Sequence, residues 1–322
     1  MFEKLPVVLS AEDLLDRAFR RTKKIQITDR DHYYREKKTI IAKTESFSDS
    51  IISTLEQYVK QFPSLDQLSS FYQELIDIRI NSDKLKKSLG AANWAYKTCQ
   101  MIYTTQVKGL KKSKDINFLK QKQKEIYGRI SSVVKQIDKE LAVLAEAQNI
   151  MKNLPEIHDV PTVVIAGYPN VGKSSLLRCL SSAKPQVAQY PFTTKEIYVG
   201  HIKKTERYID KSFQIIDTPG LLDRPFSEMK NSIEKQAVAA LTHLADIIVF
   251  LIDPTETCGY SLKDQQSLLS HMKEMFNDSV FIVVENKADF KKTKSNNLKI
   301  SCESKEGIDK LIEQIFSNYK SN

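Results

Sequence analysis

The sequence predicts two joined folds: an α-helical bundle over residues 1–158 and an α/β domain with a mostly parallel six-stranded sheet over residues 159–322. Three observations predict this. Glycine and proline change density near residue 160, since only three of the nine glycines precede it and no proline lies between Pro63 and Pro155. Before that point apolar residues recur at steps of three and four, as in Ile126, Ile130, Val133, Ile137, Leu141 and Leu144, the period of a helix face. After it, short β-branched runs alternate with helical patterns, the texture of a sheet covered on both faces.

Taken in order, Ser10 with Asp13 and Ser64 with Gln67 have capping-box spacing and predict helix starts. Leu85, Leu89, Cys99, Tyr103 and Val107 predict a helix that ends in a turn over residues 108–115. The stripe from Ile126 to Leu144 then predicts one long helix over residues 115–153. Trp94 and the tyrosines of this half read as core or rim packing. In the second half, strands are predicted at residues 163–166, 197–202, 208–216, 247–252, 280–284 and 298–300, and a final helix at 308–316. The connection between the second and third strands is too short for a crossover, so that pair reads as an antiparallel hairpin at the sheet edge.

Composition narrows the class. The 322 residues suit two domains, and 41% hydrophobic with 28% charged residues suits a globular chain. The longest apolar run, residues 247–252, is six residues, against the roughly 20 needed to cross a bilayer. Met1 to Pro6 has no basic-then-apolar pattern of a secretory signal. Cys99, Cys179, Cys258 and Cys302 lie far apart, without zinc-ligand spacing, which predicts neither a disulfide framework nor a zinc site. The net charge of +9 is uneven: the part before Pro161 holds 28 Lys and Arg against 21 Asp and Glu, the rest 21 against 19. Residues 84–124 carry eleven lysines and one acid, Asp115, and a second excess includes Arg20, Arg21, Lys23 and Lys24. Such clustering is either a surface facing phosphates or a solvated lysine-rich helix face.

The chemistry-bearing motifs lie in the second half. Gly167-Tyr168-Pro169-Asn170-Val171-Gly172-Lys173-Ser174 matches G-x-x-x-x-G-K-[ST] directly after a predicted strand and before a helix. In such a loop backbone amides curl around phosphate oxygens, Lys173 reaches the β- and γ-phosphates, and the Ser174 hydroxyl binds Mg²⁺. Asp217-Thr218-Pro219-Gly220 ends another strand, with Asp217 placed to hold Mg²⁺ through water and Gly220 to meet the γ-phosphate. Asn286-Lys287-Ala288-Asp289 has the pattern N-K-x-D, in which Asp289 accepts from N1–H and N2–H₂ of guanine, a donor pair that adenine lacks. Asn286 would brace the loop, the Lys287 stem would cover the base, and the Cys302 amide, after Ser301, would meet the guanine carbonyl. The nucleotide set is Asn170, Val171, Gly172, Lys173, Ser174, Ser175, Asn286, Lys287, Asp289, Ser301 and Cys302.

The second half resembles the G domain of the Ras-like P-loop GTPases, and within them the Obg-related branch. The segment Tyr190-Pro191-Phe192-Thr193-Thr194-Lys195 resembles that branch's switch I. The resemblance gives Thr194 the role of completing the Mg²⁺ shell and sensing the γ-phosphate, with Thr193 as fallback. Mg²⁺ ligands are then Ser174, Thr194 and Asp217, and the groups acting at the γ-phosphate Lys173, Thr194 and Gly220. Val199-Gly200-His201, residues 217–225, Ile233 to Ala237 and residues 258–262, behind a helical half, are similar to the nucleolar GTP-binding protein 1 family. That resemblance implies a GTPase acting in large ribosomal subunit assembly, the helical domain on rRNA through Arg20, Arg21, Lys23, Lys24, Lys108, Lys111, Lys112 and Lys114, with other assembly factors as further partners.

Leu221 stands where Ras-like enzymes carry the glutamine that orients water, so slow hydrolysis is expected, accelerated by a group from elsewhere. In several related GTPases an asparagine at the position of Asn170 helps bind K⁺. The chain closes at Lys320-Ser321-Asn322, shortly after its final helix, which suggests a compact, cytoplasmic, ribosome-associated form. A signalling or membrane-associated switch whose helical domain binds protein is the alternative, and an ATPase is disfavoured by Asp289.

Overall fold

A computed structural model describes residue 2 and residues 4–158, 160–191, 193, 195–206, 209–224 and 232–319. Contacts group them into two compact units, neither continuous in sequence: Met1–Leu68 with Arg79–Lys152, and Ser69–Ile78 with Asn153–Asn322.

The first unit holds helices α1 (Ala11–Lys23), α2 (His32–Gln61), α4 (Ser82–Lys112), α5 (Ile116–Gln136) and α6 (Asp138–Lys152). Helix α2 packs on α1, α4 and α5. Phe19, Phe47 and Tyr127 pack together at its centre, with ring centroids 4.3–5.5 Å apart. Ser10 caps α1 by accepting from the Asp13 amide at 3.1 Å. Ser64 instead opens a single 3₁₀ turn, Leu65–Gln67, without a side-chain cap, because Leu68 turns to extended backbone (ψ 152°) and buries its side chain. The buried face of α4 runs through Leu85, Ser88, Ala92, Ala95, Cys99, Ile102 and Leu110, while Trp94 is 47% exposed and is no core residue.

The single helix expected over residues 115–153 is two. The chain leaves helical geometry at Ile137 (φ −101°, ψ 15°), and Asp138, first in α6, accepts the Ala11 amide on Oδ1 at 2.9 Å. Neither glycine nor proline marks the break, and the apolar stripe crosses it in phase, with Ile130, Val133, Ile137, Leu141 and Leu144 all buried.

The second unit takes most of α3 (Ser70–Ile80), whose Phe71, Tyr72, Leu75 and Ile76 are buried. The Tyr72 hydroxyl donates to Pro155 O and accepts from the Ile157 amide, both at 2.9 Å, fastening α3 to the segment that enters the sheet. The sheet contains β1 (Thr162–Ala166), β2 (Gln186–Gln189), β3 (Glu196–Glu206), β4 (Ile209–Asp217), β5 (Ile247–Ile252), β6 (Val280–Glu285) and β7 (Leu298–Lys299). Their order is β2-β3-β4-β1-β5-β6-β7, parallel from β4 to β7 and antiparallel across β2, β3 and β4. Helices α7 (Lys173–Leu180), α8 (Ser232–Ala240), α9 (Leu262–Met275) and α10 (Ile308–Asn318) complete an α/β unit whose parallel strands point their carboxyl ends to one edge.

The described strands number seven, not six. The additional one, β2, has the sequence Gln186-Val187-Ala188-Gln189, with three of its four residues exposed and Val187 56% exposed. It buries no face, so no alternation announces it. It also takes the edge, so the β3–β4 hairpin lies one strand in. Every residue of β1 and β5 is buried, which fixes the central strands that carry the site.

Candidate functional site

The loop after β1 curls because Gly167, Asn170 and Gly172 all take positive φ, of 137°, 63° and 104°. Gly172 precedes α7 directly, and a Cβ there would collide with the Asn286 amide, so only glycine lets the loop and residue 286 touch. Lys173 is 7% exposed; its Nζ donates to Gly167 O at 2.7 Å and Tyr168 O at 2.8 Å. Burial pushes the ammonium below its ordinary pKa, against the pull of Asp223 and Asp217.

Asp217 ends β4 and is fully buried. Its Oδ2 accepts from Ser174 Oγ at 2.7 Å, while the buried Oδ1 has no hydrogen-bond partner among the described residues. Burial raises the carboxyl's pKa above the usual range, offset in part by the Ser174 bond and the charge of Lys173. A hard, anionic oxygen left unpaired beside a hydroxyl, at the mouth of a phosphate-type loop, suits a hard cation such as Mg²⁺, which Ser174 and Asp217 could hold. Thr194, the third residue read as a ligand, lies outside the described residues, as do Phe192 and Pro225. Thr193 is described, and its Oγ1 is engaged locally, donating to Tyr190 O at 3.0 Å and accepting from the Lys195 amide at 3.1 Å. Gly220 (φ 77°) lies under the Lys195 side chain, which a Cβ would meet at 2.9 Å. Leu221 is entirely buried.

Next to the loop opens a cavity of about 470 Å³ lined by Asn170, Gly172, Ser175, Asn286, Lys287, Asp289, Phe290, Ser301, Cys302 and Glu303. Asn286, just past β6, donates from Nδ2 to Val171 O at 2.9 Å and accepts the Cys302 amide on Oδ1 at 3.3 Å. It therefore stitches the P-loop to the loop after β7. Ser301 is buried, and its Oγ accepts from the Ser304 amide at 3.1 Å. Asp289 is exposed at the cavity rim. Lys173, Ser174 and Asp217 are absent from this lining and meet one another beside it. The geometry thus has two ends, one suited to phosphate and metal and one to a planar ring with donors on its edge.

Two family models match the chain: the NOG1 N-terminal helical domain over residues 2–158, and nucleolar GTP-binding protein 1 over residues 232–289. An uncharacterized protein of Methanocaldococcus jannaschii is 36% identical over 292 residues, 89% of this chain and 81% of that protein. The nucleolar GTP-binding protein 1 of Saccharomyces cerevisiae is 34% identical over 298 residues, and that of Kluyveromyces lactis 31% identical over 316. The chain belongs to the nucleolar GTP-binding protein 1 family. It spans about half the length of the two nucleolar relatives, 44% and 48%, which match 89% and 97% of this chain.

In this family member, several site residues have no place in the motifs. Asp253, the residue after β5, is entirely buried and ion-paired to Lys287 at 2.5 Å. Its position at the carboxyl end of a central parallel strand is the signal that could have found it. Glu285, which ends β6, accepts from Thr293 Oγ1 and Ser295 Oγ at 2.5 Å and Asn297 Nδ2 at 3.2 Å. Burial works to raise its pKa, yet these bonds hold it below the ordinary value. Phe290 lines the cavity while 76% exposed, and Tyr168 of the P-loop stacks on Tyr260 at 4.1 Å between centroids.

The basic clusters of the helical unit reach the same stretch of α2. Lys111 Nζ lies 3.9 Å from Glu45, and the Arg21 charge acts on Asp49 one turn further along. The loop between α4 and α5 is held to the start of α2, with the Tyr33 hydroxyl donating to Lys114 O and Lys37 Nζ to Ser113 O. Part of the surplus is neutralised locally, by Lys38 with Asp29, Lys120 with Glu36 and Arg20 with Asp16. Lys108, Lys112 and Lys114 have no carboxylate partner among the described residues, and all three are exposed. No described helix of this family member is long and apolar enough to cross a membrane.

Proposed function

We propose that the chain is a GTP-binding and GTP-hydrolysing assembly factor for the large ribosomal subunit, that its helical unit lies on rRNA, and that its release is coupled to hydrolysis. The observation that carries this reading is the convergence of Asn170, Asn286, Lys287, Asp289 and Cys302 on one cavity beside the Lys173–Ser174–Asp217 cluster. Family membership supports it, since the named relatives are nucleolar GTP-binding proteins.

In this reading Asp289 and the Cys302 loop select guanine, and Asn286 keeps the base and phosphate ends in register. The P-loop amides and Lys173 bind the phosphates, and Ser174 and Asp217 hold Mg²⁺, which supplies positive charge for the γ-phosphoryl group when bound. Thr194 and Gly220 respond to the γ-phosphate, and its loss frees the segments that carry them. Buried Leu221 cannot orient water, so intrinsic turnover is slow. Asn170 supports K⁺ as one accelerating group, which requires faster hydrolysis in K⁺ than in Na⁺. Exposed lysines and arginines of the helical unit meet the rRNA backbone.

The reading is tested by co-sedimentation with large-subunit precursor particles in GTP, a non-hydrolysable analogue or GDP. Association should be strong with the analogue and weak with GDP. Equal association in all three states would remove coupled release.

A further inference from the structure

Asp253 stands at the carboxyl end of β5 with its side chain wholly out of solvent. Its Oδ1 accepts from the Thr255 amide at 2.9 Å and Thr255 Oγ1 at 2.5 Å. Its Oδ2 accepts from the Cys258 amide at 2.9 Å, Thr257 Oγ1 at 3.1 Å and Lys287 Nζ at 2.5 Å. The backbone is equally fixed, since Gln265 accepts the Asp253 amide at 2.8 Å and donates to its carbonyl at 3.1 Å. The carboxylate cannot turn away, and it holds one cation.

That cation belongs to a residue in an unusual conformation. Lys287 has φ 61°, a region that side-chain-bearing residues rarely occupy. Its Nζ also donates to Thr257 Oγ1 at 2.7 Å, so both of its partners sit on the loop after β5. Between that anchored ammonium and the backbone, the lysine lines the cavity.

We propose that Asp253 is a positioning residue for nucleotide binding: it anchors the Lys287 ammonium so that the lysine's aliphatic stem stands as a fixed wall of the purine cavity. The inference rests on the guanine reading of that cavity. A mobile lysine stem would lose rotamer freedom each time a base entered, whereas an anchored stem has already lost it, so the anchor should slow release of the nucleotide. If Asp253 only closed its own loop through Thr255 and Cys258, its effect would be independent of Lys287.

The test is the release rate of a fluorescent GDP from the full chain, for the natural protein, Asp253→Asn, Lys287→Met and the double variant. Each single change should speed release about tenfold, and the double variant should be no faster than the faster single. Multiplying effects of about 100-fold in the double variant, or an Asp253→Asn rate within about twofold of the natural one, would overturn the anchor. Lys287→Met keeps the stem and removes only the ammonium, so a natural release rate in that variant overturns it too, even where Asp253→Asn folds poorly. A natural chain that retains no GDP would sink the guanine reading and this inference with it, an outcome distinct from retention with multiplying effects.

Discussion

Ser174 Oγ donates to Asp217 Oδ2 at 2.7 Å, and Oδ1 of the same buried carboxylate has no hydrogen-bond partner among the described residues. An unpaired buried anion costs stability and makes a ready ligand for a hard cation. Asp217→Asn should therefore lower Mg²⁺-dependent GTP hydrolysis by about 100-fold while raising the melting temperature measured without Mg²⁺ and nucleotide. The sign follows from the raised pKa: the folded state holds its proton more tightly than the unfolded one, so stability is lost as pH rises from 3.8 through the folded value. A melting temperature that falls in the variant would show that Oδ1 has a partner in the folded protein.

Asp289 faces the cavity from its rim, and replacing it by asparagine exchanges a double acceptor for a group that is half donor. Asp289→Asn should weaken GTP binding by at least about 100-fold and shift preference toward xanthine nucleotides, whose ring offers a carbonyl where guanine has an amine. Competition between GTP and XTP reads this directly. Unchanged GTP affinity would mean that the base binds elsewhere.

Asp253 is held down to about 2: burial acts to raise it, and the bonds from Lys287 and Thr255 outweigh that burial. A depressed carboxyl contributes stability that is present above 3.8 and lost as pH falls from there towards about 2. Asp253→Asn should destabilise the chain by roughly 2 kcal/mol at pH 7, with the difference shrinking below pH 4. Denaturant unfolding at the two pH values measures it; an equal difference at both would assign the loss to packing.

Lys111, Lys112 and Lys114 crowd the connection between α4 and α5, which Tyr33 and Lys37 fasten to α2. Changing all three lysines to glutamate should weaken rRNA binding and flatten its logarithmic salt dependence by about 2 to 3, leaving GDP affinity unaltered. Salt titration of binding to an rRNA fragment checks this. An unchanged slope would make the cluster a solvated helix face.

The candidate site was legible as motifs because those motifs are local. Lys173 with Ser174, and Asn286 through Asp289, fall on short segments that point to one chemistry when taken in order, and the structure brings Asn286 against the first loop. Asp253 was marked by its place at the end of β5, but its partner was not legible, because Lys287 lies 34 positions away. Strand β2 was hidden by its polar, exposed side chains, and the break at Ile137 by a stripe that keeps phase across it. The two basic clusters were visible as charge. That Lys111 reaches Glu45 and the Arg21 charge acts on Asp49, with several members already paired to carboxylates, depends on tertiary packing and could not be read from spacing.

Helix α3 is made before any strand of the sheet, yet Ser69–Ile78 belongs to the unit that Asn153–Asn322 completes. During synthesis Phe71, Leu75 and Ile76, buried in the folded chain, precede the main part of their unit, which begins at Asn153. A waiting apolar segment is a target for chaperones and a seed for misassembly. A fragment that begins at the P-loop strand would lack this helix and the Tyr72 ties to residues 155 and 157, and so would expose apolar surface that the intact chain covers. Completion of the second unit therefore draws on residues 69–78 as well as on residues 153–322.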